Sequence, residues 1–160
     1  MKELLEVYTE SLEKTGEVVE RGTKPKTGYV LAAGVIIENS SGDYLIQKTS
    51  KEKGSEFANT GGHVILGETP SSCIVREVKE EIGLDIDENE LEFIGIDKHP
   101  SAPLLFSFYH LKKDVDINDL VLQKEEVDYV VWMNKDEIKE KVQKREFRKT
   151  TANTLEKFIL

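Results

Sequence analysis

Glu77, Glu80 and Glu81 form the group in this sequence with the clearest capacity for chemistry. On an α-helix their i, i+3, i+4 spacing gathers the carboxylates on one side of the cylinder, where they repel one another at neutral pH. A hard divalent cation taking oxygen ligands, Mg²⁺ or Mn²⁺, removes that repulsion and leaves coordination positions free for phosphate oxygens. The plain alternative is a charged surface helix with an Arg76–Glu80 ion pair, in a chain rich in glutamate. Taken alone, the three glutamates favour the surface helix.

The surrounding residues must position that group. Thr69 followed by Pro70 reads as an N-cap and a first-turn residue, and Gly83 as the residue that ends the helix in a left-handed conformation. Between them Ile74, Val75, Val78 and Ile82 recur at three- and four-residue spacings, an apolar stripe that faces a sheet. Cys73, one turn before Glu77, reads as a small, half-buried packing thiol. The whole stretch Gly61–Leu84, GGHVILGETPSSCIVREVKEEIGL, is a glycine-rich turn leading into this helix.

Its spacing is specific. From Gly62 five residues reach Glu68, seven more precede Arg76-Glu77, and then come Val78, Lys79, Glu80-Glu81, Ile82, Gly83 and Leu84. This resembles the Nudix box, G-x5-E-x7-R-E-U-x-E-E-x-G-U with U aliphatic, at every specified position. Seven fixed identities at average usage give a chance match on the order of one in a billion per window, less extreme in an acidic chain.

At 160 residues, with 38% hydrophobic and 33% charged residues, the chain has ordinary globular composition and reads as one domain, residues 1–160. The N-terminus MKELLEVYTE lacks the basic and apolar segments of a signal peptide, no stretch approaches membrane-spanning length, and one cysteine offers neither a disulfide nor a zinc cluster. The protein is read as cytoplasmic. A formal net charge of −9 argues against a nucleic-acid polymer or an anionic membrane as partner. An anionic small substrate then needs bound metal or local cations, for which Lys48, Lys51, Lys53 and Lys98 are candidates.

Leu4–Tyr8 and Glu17–Glu20 read as a hairpin around Glu13–Gly16, an extension over residues 1–26 ahead of a core over 27–160. The hairpin is an edge addition for stability or a homodimer contact. Tyr29–Ile37 is a strand buried on both faces, Ser40–Asp43 a turn and Tyr44–Gln47 the returning strand of a central hairpin. The charged loop Lys48–Thr60 has a length typical of functional loops. Leu91–Asp97, Pro103–Leu111 and Val127–Met133 read as further strands, Asn134 caps a helix, and a last helix runs from about Ala152 to Leu160.

The resemblance implies an α/β fold, an α/β/α sandwich with a mixed β-sheet. It implies hydrolysis of a diphosphate linkage in a nucleoside diphosphate joined to another moiety, with Mg²⁺ or Mn²⁺. Metal ligands would be Glu80, Glu81 and the carbonyl oxygen of Gly61, with Glu77 as ligand or base and Glu68 and Arg76 as supporting ion-pairing residues. Glu125 and Glu126 are candidates for a further base or ligand. Phe57, His63, Phe106 and Trp132 are candidate substrate contacts, Phe57 with a core role as its equal alternative. Many relatives carry an acid where Ile65 stands, so the expected metal shell narrows to Gly61, Glu77, Glu80 and Glu81.

Two alternatives remain. The opening segment resembles the subgroup close to isopentenyl-diphosphate isomerase, but FANTGGHV lacks the cysteine that such relatives use. A non-hydrolytic nucleotide- or metabolite-binding domain is the other, although such domains usually lose the box glutamates that this chain retains.

Overall fold

The computed structural model describes residues 2–160. It begins with an antiparallel pair, β1 (Leu4–Tyr8) and β2 (Lys14–Glu20). The turn lies at Thr9–Glu13, ahead of the position expected from Gly16. Thr9 organises it: its N–H donates to Glu13 O at 2.7 Å and its Oγ1 accepts from Glu13 N–H at 3.1 Å, while Leu12 takes the left-handed conformation with φ 68°. Gly16 instead falls in a bulge of β2.

The next strands are β3 (Val30–Glu38), β4 (Tyr44–Thr49), β5 (Phe57–Ala58) and β6 (Thr60–His63). They are followed by α1 (Pro70–Ile82), β7 (Glu92–Lys98), β8 (Leu104–Lys112) and β9 (Val127–Met133). The chain closes with α2 (Lys135–Gln143) and α3 (Lys149–Phe158). The main sheet has the order β5-β4-β3-β8-β7, with β6 also on β3 and β9 on β4. β3 and β8 run parallel and the other pairs antiparallel, so the sheet is mixed, and β3 is apolar from Val30 to Ile37, the length over which it is covered on both faces.

β3 and β4 form only the tip of the expected central hairpin. They pair at Ile37↔Leu45 and Glu38↔Tyr44 and then diverge: β6 takes β3 from Ala32 to Val35, and β4 pairs with β9 and β5. The divergence opens a crevice between β4 and β6, bridged by Thr60 Oγ1 donating to Gln47 Oε1 at 2.6 Å.

Alternation along β3 sends Leu31, Ala33, Val35 and Ile37 to one face, where Cys73, Ile74, Val78 and Ile82 of α1 cover them. Ile36, with Ile46 and Phe108, faces Ile138 of α2 and Leu155 of α3. This is the α/β/α sandwich. Each fully buried aliphatic in it contributes about 1.5–3 kcal/mol.

α1 has the termini its sequence announces. Thr69 Oγ1 accepts from Ser72 N–H while Ser72 Oγ accepts from Thr69 N–H, a reciprocal cap, and Gly83 ends the helix at φ 71°. A Cβ at Gly83 would lie 2.9 Å from Val121 backbone and side-chain atoms. Gly83→Ala therefore combines left-handed strain with a clash and is expected to cost about 1–3 kcal/mol in urea unfolding. α3 starts three residues before the expected Ala152: Arg148 N–H is fixed by Phe57 O at 2.8 Å, and Ala152 N–H closes the first turn onto Arg148 O at 2.9 Å. The β-branched Thr150 and Thr151 hide that start in the sequence. Among the described residues no helix is long and apolar enough to cross a membrane.

Candidate active site

Where α1, the strand β6, the β4–β6 crevice and the start of α3 meet, a cavity of about 440 Å³ opens. Glu77, Glu80 and Glu81 form one wall beside Gly61, Gly62 and His63, while Arg148, Thr150 and Thr151 lie on the α3 side. A Cβ at Gly61 would meet the Ala33 carbonyl and the Gly34 Cα, backbone atoms that cannot give way, and one at Gly62 would displace the Glu77 carboxylate from its place. Thus the glycine-rich strand and the acidic helix are matched surfaces.

Arg76 ties the acidic wall together. Its Nε donates to Glu68 Oε2 at 2.6 Å and its Nη2 to Glu68 Oε1 at 3.0 Å, a two-pronged pair. Its Nη1 reaches Glu77 Oε1 at 2.9 Å and Glu80 Oε2 at 3.2 Å, and its Nη2 also donates to His63 O at 3.2 Å. The bond to Glu68 above all raises the guanidinium pKa, so Arg76 is a permanent charge. Glu68 in turn accepts from Ile65 N–H at 3.0 Å and so holds the turn before the helix.

Glu81 is only 8% exposed. Its Oε1 accepts from Gln47 Nε2 at 3.0 Å, whereas its Oε2 is buried with no donor among the described residues. Burial, and then the adjacent carboxyl of Glu77, push its pKa up to about 9. Two neighbouring acceptors of this kind require a proton or a cation between them. The donor chemistry thus fits a hard divalent ion, with Glu77, Glu80 and Glu81 as carboxylate ligands. Among the described residues no three His, Cys, Asp or Glu side chains already converge on one point, and Arg76 engages Glu77 and Glu80.

The other candidates separate. Glu126 lines the cavity and pairs with Lys53 at 3.5 Å; Glu125 is exposed, and its carbonyl accepts from Ser50 Oγ at 2.7 Å. His63 and Phe106 line the cavity, with the His63 pKa lowered by burial and then by the charge of Arg21. The structure places Phe57 in the core instead: it is 5% exposed, lies against Phe147 at 5.6 Å between ring centroids, and carries Lys48 over its ring. Trp132 packs on the α1-side core, because its partner in the β4–β9 register, Leu45, faces that way. Of the candidate lysines, Lys53 reaches the cavity and Lys98 pairs with Glu10 at 2.8 Å. Ile65 is committed to apolar contact with the hairpin.

Cys73 is fully buried, not half-buried, and its thiol is directed at the carbonyls of Gly62 and His63. Burial first, then the neighbouring carboxylates, push its pKa up to about 12. Native protein at pH 8 is accordingly expected to resist a charged disulfide reagent and to react stoichiometrically once unfolded, as a colorimetric thiol assay will show.

Sequence reasoning missed Gln47, Arg148, Glu3 and Arg21, all of which line the cavity. Only Gln47 left a signal, a polar residue directly after the apolar run Tyr44–Ile46 of β4. A second, more apolar cavity of about 270 Å³ adjoins the first along Leu104, Phe106 and Thr150.

The sequence model of the NUDIX domain matches residues 28–158. An uncharacterized Nudix hydrolase of Listeria monocytogenes is 32% identical over 141 residues, covering 83% of this chain and 80% of its own. The NAD-capped RNA hydrolase NudC of Pseudomonas aeruginosa is 27% identical over 107 residues, covering 66% of this chain but 37% of its own. A crystal structure of a Deinococcus radiodurans protein shares the fold with a TM-score of 0.81 at 20% identity, covering 99% of this chain and 100% of that one. Since the matched segment contains the glycine-rich turn, the Arg76 network and the acidic helix, the chain belongs to the Nudix family.

Proposed function

We propose that this chain is a divalent-metal-dependent hydrolase cleaving the diphosphate linkage of a nucleoside diphosphate joined to another moiety. The observation that carries this reading is the Glu81 carboxylate, buried beside Glu77 with one oxygen lacking a donor among the described residues. Family membership supports a hydrolase acting on diphosphate bonds, and Nudix hydrolases generally use divalent metals. The likeness to a hydrolase named for NAD-capped RNA supports a nucleotide-linked substrate.

Mg²⁺ or Mn²⁺ would be held by Glu77, Glu80 and Glu81 with the Gly61 carbonyl; when bound, it supplies charge neutralisation of phosphoryl oxygens and a lowered pKa for the attacking water. Arg76 and Glu68 hold Glu77 in orientation. Water oxygen bonds to one phosphorus, the bridging P–O bond breaks, and the departing phosphate keeps the electron pair. A carboxylate accepts the water's proton, for which Glu126 is placed better than Glu125. Arg148, which forms no ion pair among the described residues, faces the cavity and can offset the substrate's charge. We also read residues 1–160 as one domain, with the hairpin joined to the core.

The isomerase alternative needs a cysteine and an acid flanking an alkene. The single thiol, Cys73, is buried against backbone carbonyls, which weighs against it. The test is a panel of nucleoside triphosphates, dinucleoside polyphosphates, nucleotide sugars and coenzymes with Mg²⁺. Phosphate-bearing products that vanish on chelation are expected. Calorimetric binding of a ligand with no turnover over hours would instead establish a binding domain.

A further inference from the structure

The family match begins at residue 28, yet Glu3 and Arg21, from the hairpin ahead of it, line the same cavity as the box glutamates. The hairpin is firmly seated there. Tyr8 and Tyr29 exchange backbone hydrogen bonds at 2.7 and 2.8 Å, and Leu66 N–H donates to Leu4 O at 2.7 Å. Leu5, Val7, Val19 and Val30 form an apolar cluster on which Ile65 and Leu104 pack. Ile65 N–H is also held by Glu68, so hairpin, glycine-rich turn and Arg76 network form one continuous unit. The apolar residue at position 65 thereby gains a role: it docks the hairpin.

Resting on the diphosphohydrolase reading, we propose that the Glu3–Arg21 pair is a specificity wall for the moiety attached to the diphosphate, and that this moiety is an uncharged, hydroxyl-bearing group of the sugar class. Arg21 Nη1 approaches Glu3 Oε1 at 3.4 Å, and Arg21 N–H donates to Glu3 O at 2.8 Å. The two charges cancel, so this wall offers no net attraction to a further phosphate. Both side chains keep unused hydrogen-bonding capacity: a guanidinium carries five N–H donors and a carboxylate accepts at both oxygens. Paired donors and acceptors suit hydroxyl groups, each of which does both. The same cavity is lined by Ala32, Leu104 and Phe106, neighbours in the β3–β8 register, where Val30 pairs with Leu104 and Ala32 with Phe106. This apolar strip suits the C–H face of a sugar ring, and the small Ala32 leaves room for it.

The test compares wild type with Glu3→Ala/Arg21→Ala on a nucleoside diphosphate hexose and on the matching nucleoside triphosphate. Both side chains are substantially exposed, so the fold should be retained, which the thermal transition checks. For the hexose conjugate KM is expected to rise about tenfold with little change in kcat, the size of one or two lost hydrogen bonds. KM for the triphosphate should stay within about twofold. An unchanged KM for the hexose conjugate, or an equal rise for both compounds, overturns the wall. Calorimetry with the methylene-bridged analogue of the hexose conjugate, which resists hydrolysis, reads the same contact without turnover. Binding that weakens about tenfold in the variant supports the wall even if no compound is cleaved, the outcome that defeats only the hydrolase reading. Wild type that binds the analogue no better than the triphosphate, or binds neither, overturns the wall itself.

Discussion

Glu81→Gln is expected to abolish metal-dependent turnover while making the metal-free protein more stable. Glu81 has a pKa pushed from the ordinary 4.5 to about 9, so between those values the folded state holds a proton that the unfolded chain releases. The stability associated with that proton is complete below about pH 4.5 and is lost progressively as pH rises towards 9. Glutamine never ionises: its carbonyl can still accept from Gln47, and its amide can donate to Glu77. The substitution should flatten this pH dependence and stabilise the metal-free protein at pH 7 by about 1–3 kcal/mol. Turnover should fall on the order of 10²–10³-fold or more, since a charged ligand for the reacting phosphate's counter-ion is gone. Urea unfolding at pH 5, 7 and 9, beside a phosphate-product assay, reads both effects. A variant that keeps full turnover on a wild-type substrate would remove Glu81 from the proposed site.

Arg76→Ala should have the opposite signature, losing stability and activity together. The guanidinium makes a two-pronged pair with Glu68 and reaches Glu77, both largely buried carboxylates, and its removal leaves them uncompensated. Breaking a buried pair from one side costs about 3–5 kcal/mol, and the partial exposure here places the expectation near the lower figure. Glu77, freed from its partner, loses its orientation against Gly62, so turnover should fall as well. Arg76→Lys retains a charge but not the planar fork and should recover only part of each loss. Glu68→Gln should be milder, because an amide oxygen can still accept from Ile65 N–H. Thermal unfolding and turnover of the three variants give the order. If Arg76→Ala unfolds like wild type, the network adds nothing to stability.

Much of this was legible in the sequence because it is local. The Thr69 cap, the Pro70 start, the Gly83 stop and the apolar stripe of α1 depend on residues within a few positions of one another, and helix geometry converts their spacing directly into faces. The Nudix box is local in the same sense, and so the acidic wall and its supporting arginine could be named in advance. The apolar run of β3 likewise announced a strand covered on both sides.

What spacing does not contain is which distant segments meet. Phe57 and Trp132 had the right residue types for substrate contact, but the registers of β5 and β9 on β4 decide which face each side chain enters: Phe57 is buried in the core and Trp132, half-buried, packs against its α1 side. Glu125 and Glu126 are adjacent in sequence, and only the docking of their turn beside Lys53 distinguishes them. Arg148 reaches the cavity because Phe57 fixes the start of α3, and Glu3 and Arg21 reach it because Ile65 and Leu66 seat the hairpin. The sequence by itself determined the chemistry of the acidic helix, since that helix carries its own ligand spacing. Tertiary structure alone decided what surrounds it, because the other walls come from segments as far apart as Glu3 and Thr151, brought together by strand pairing and burial rather than by any local pattern.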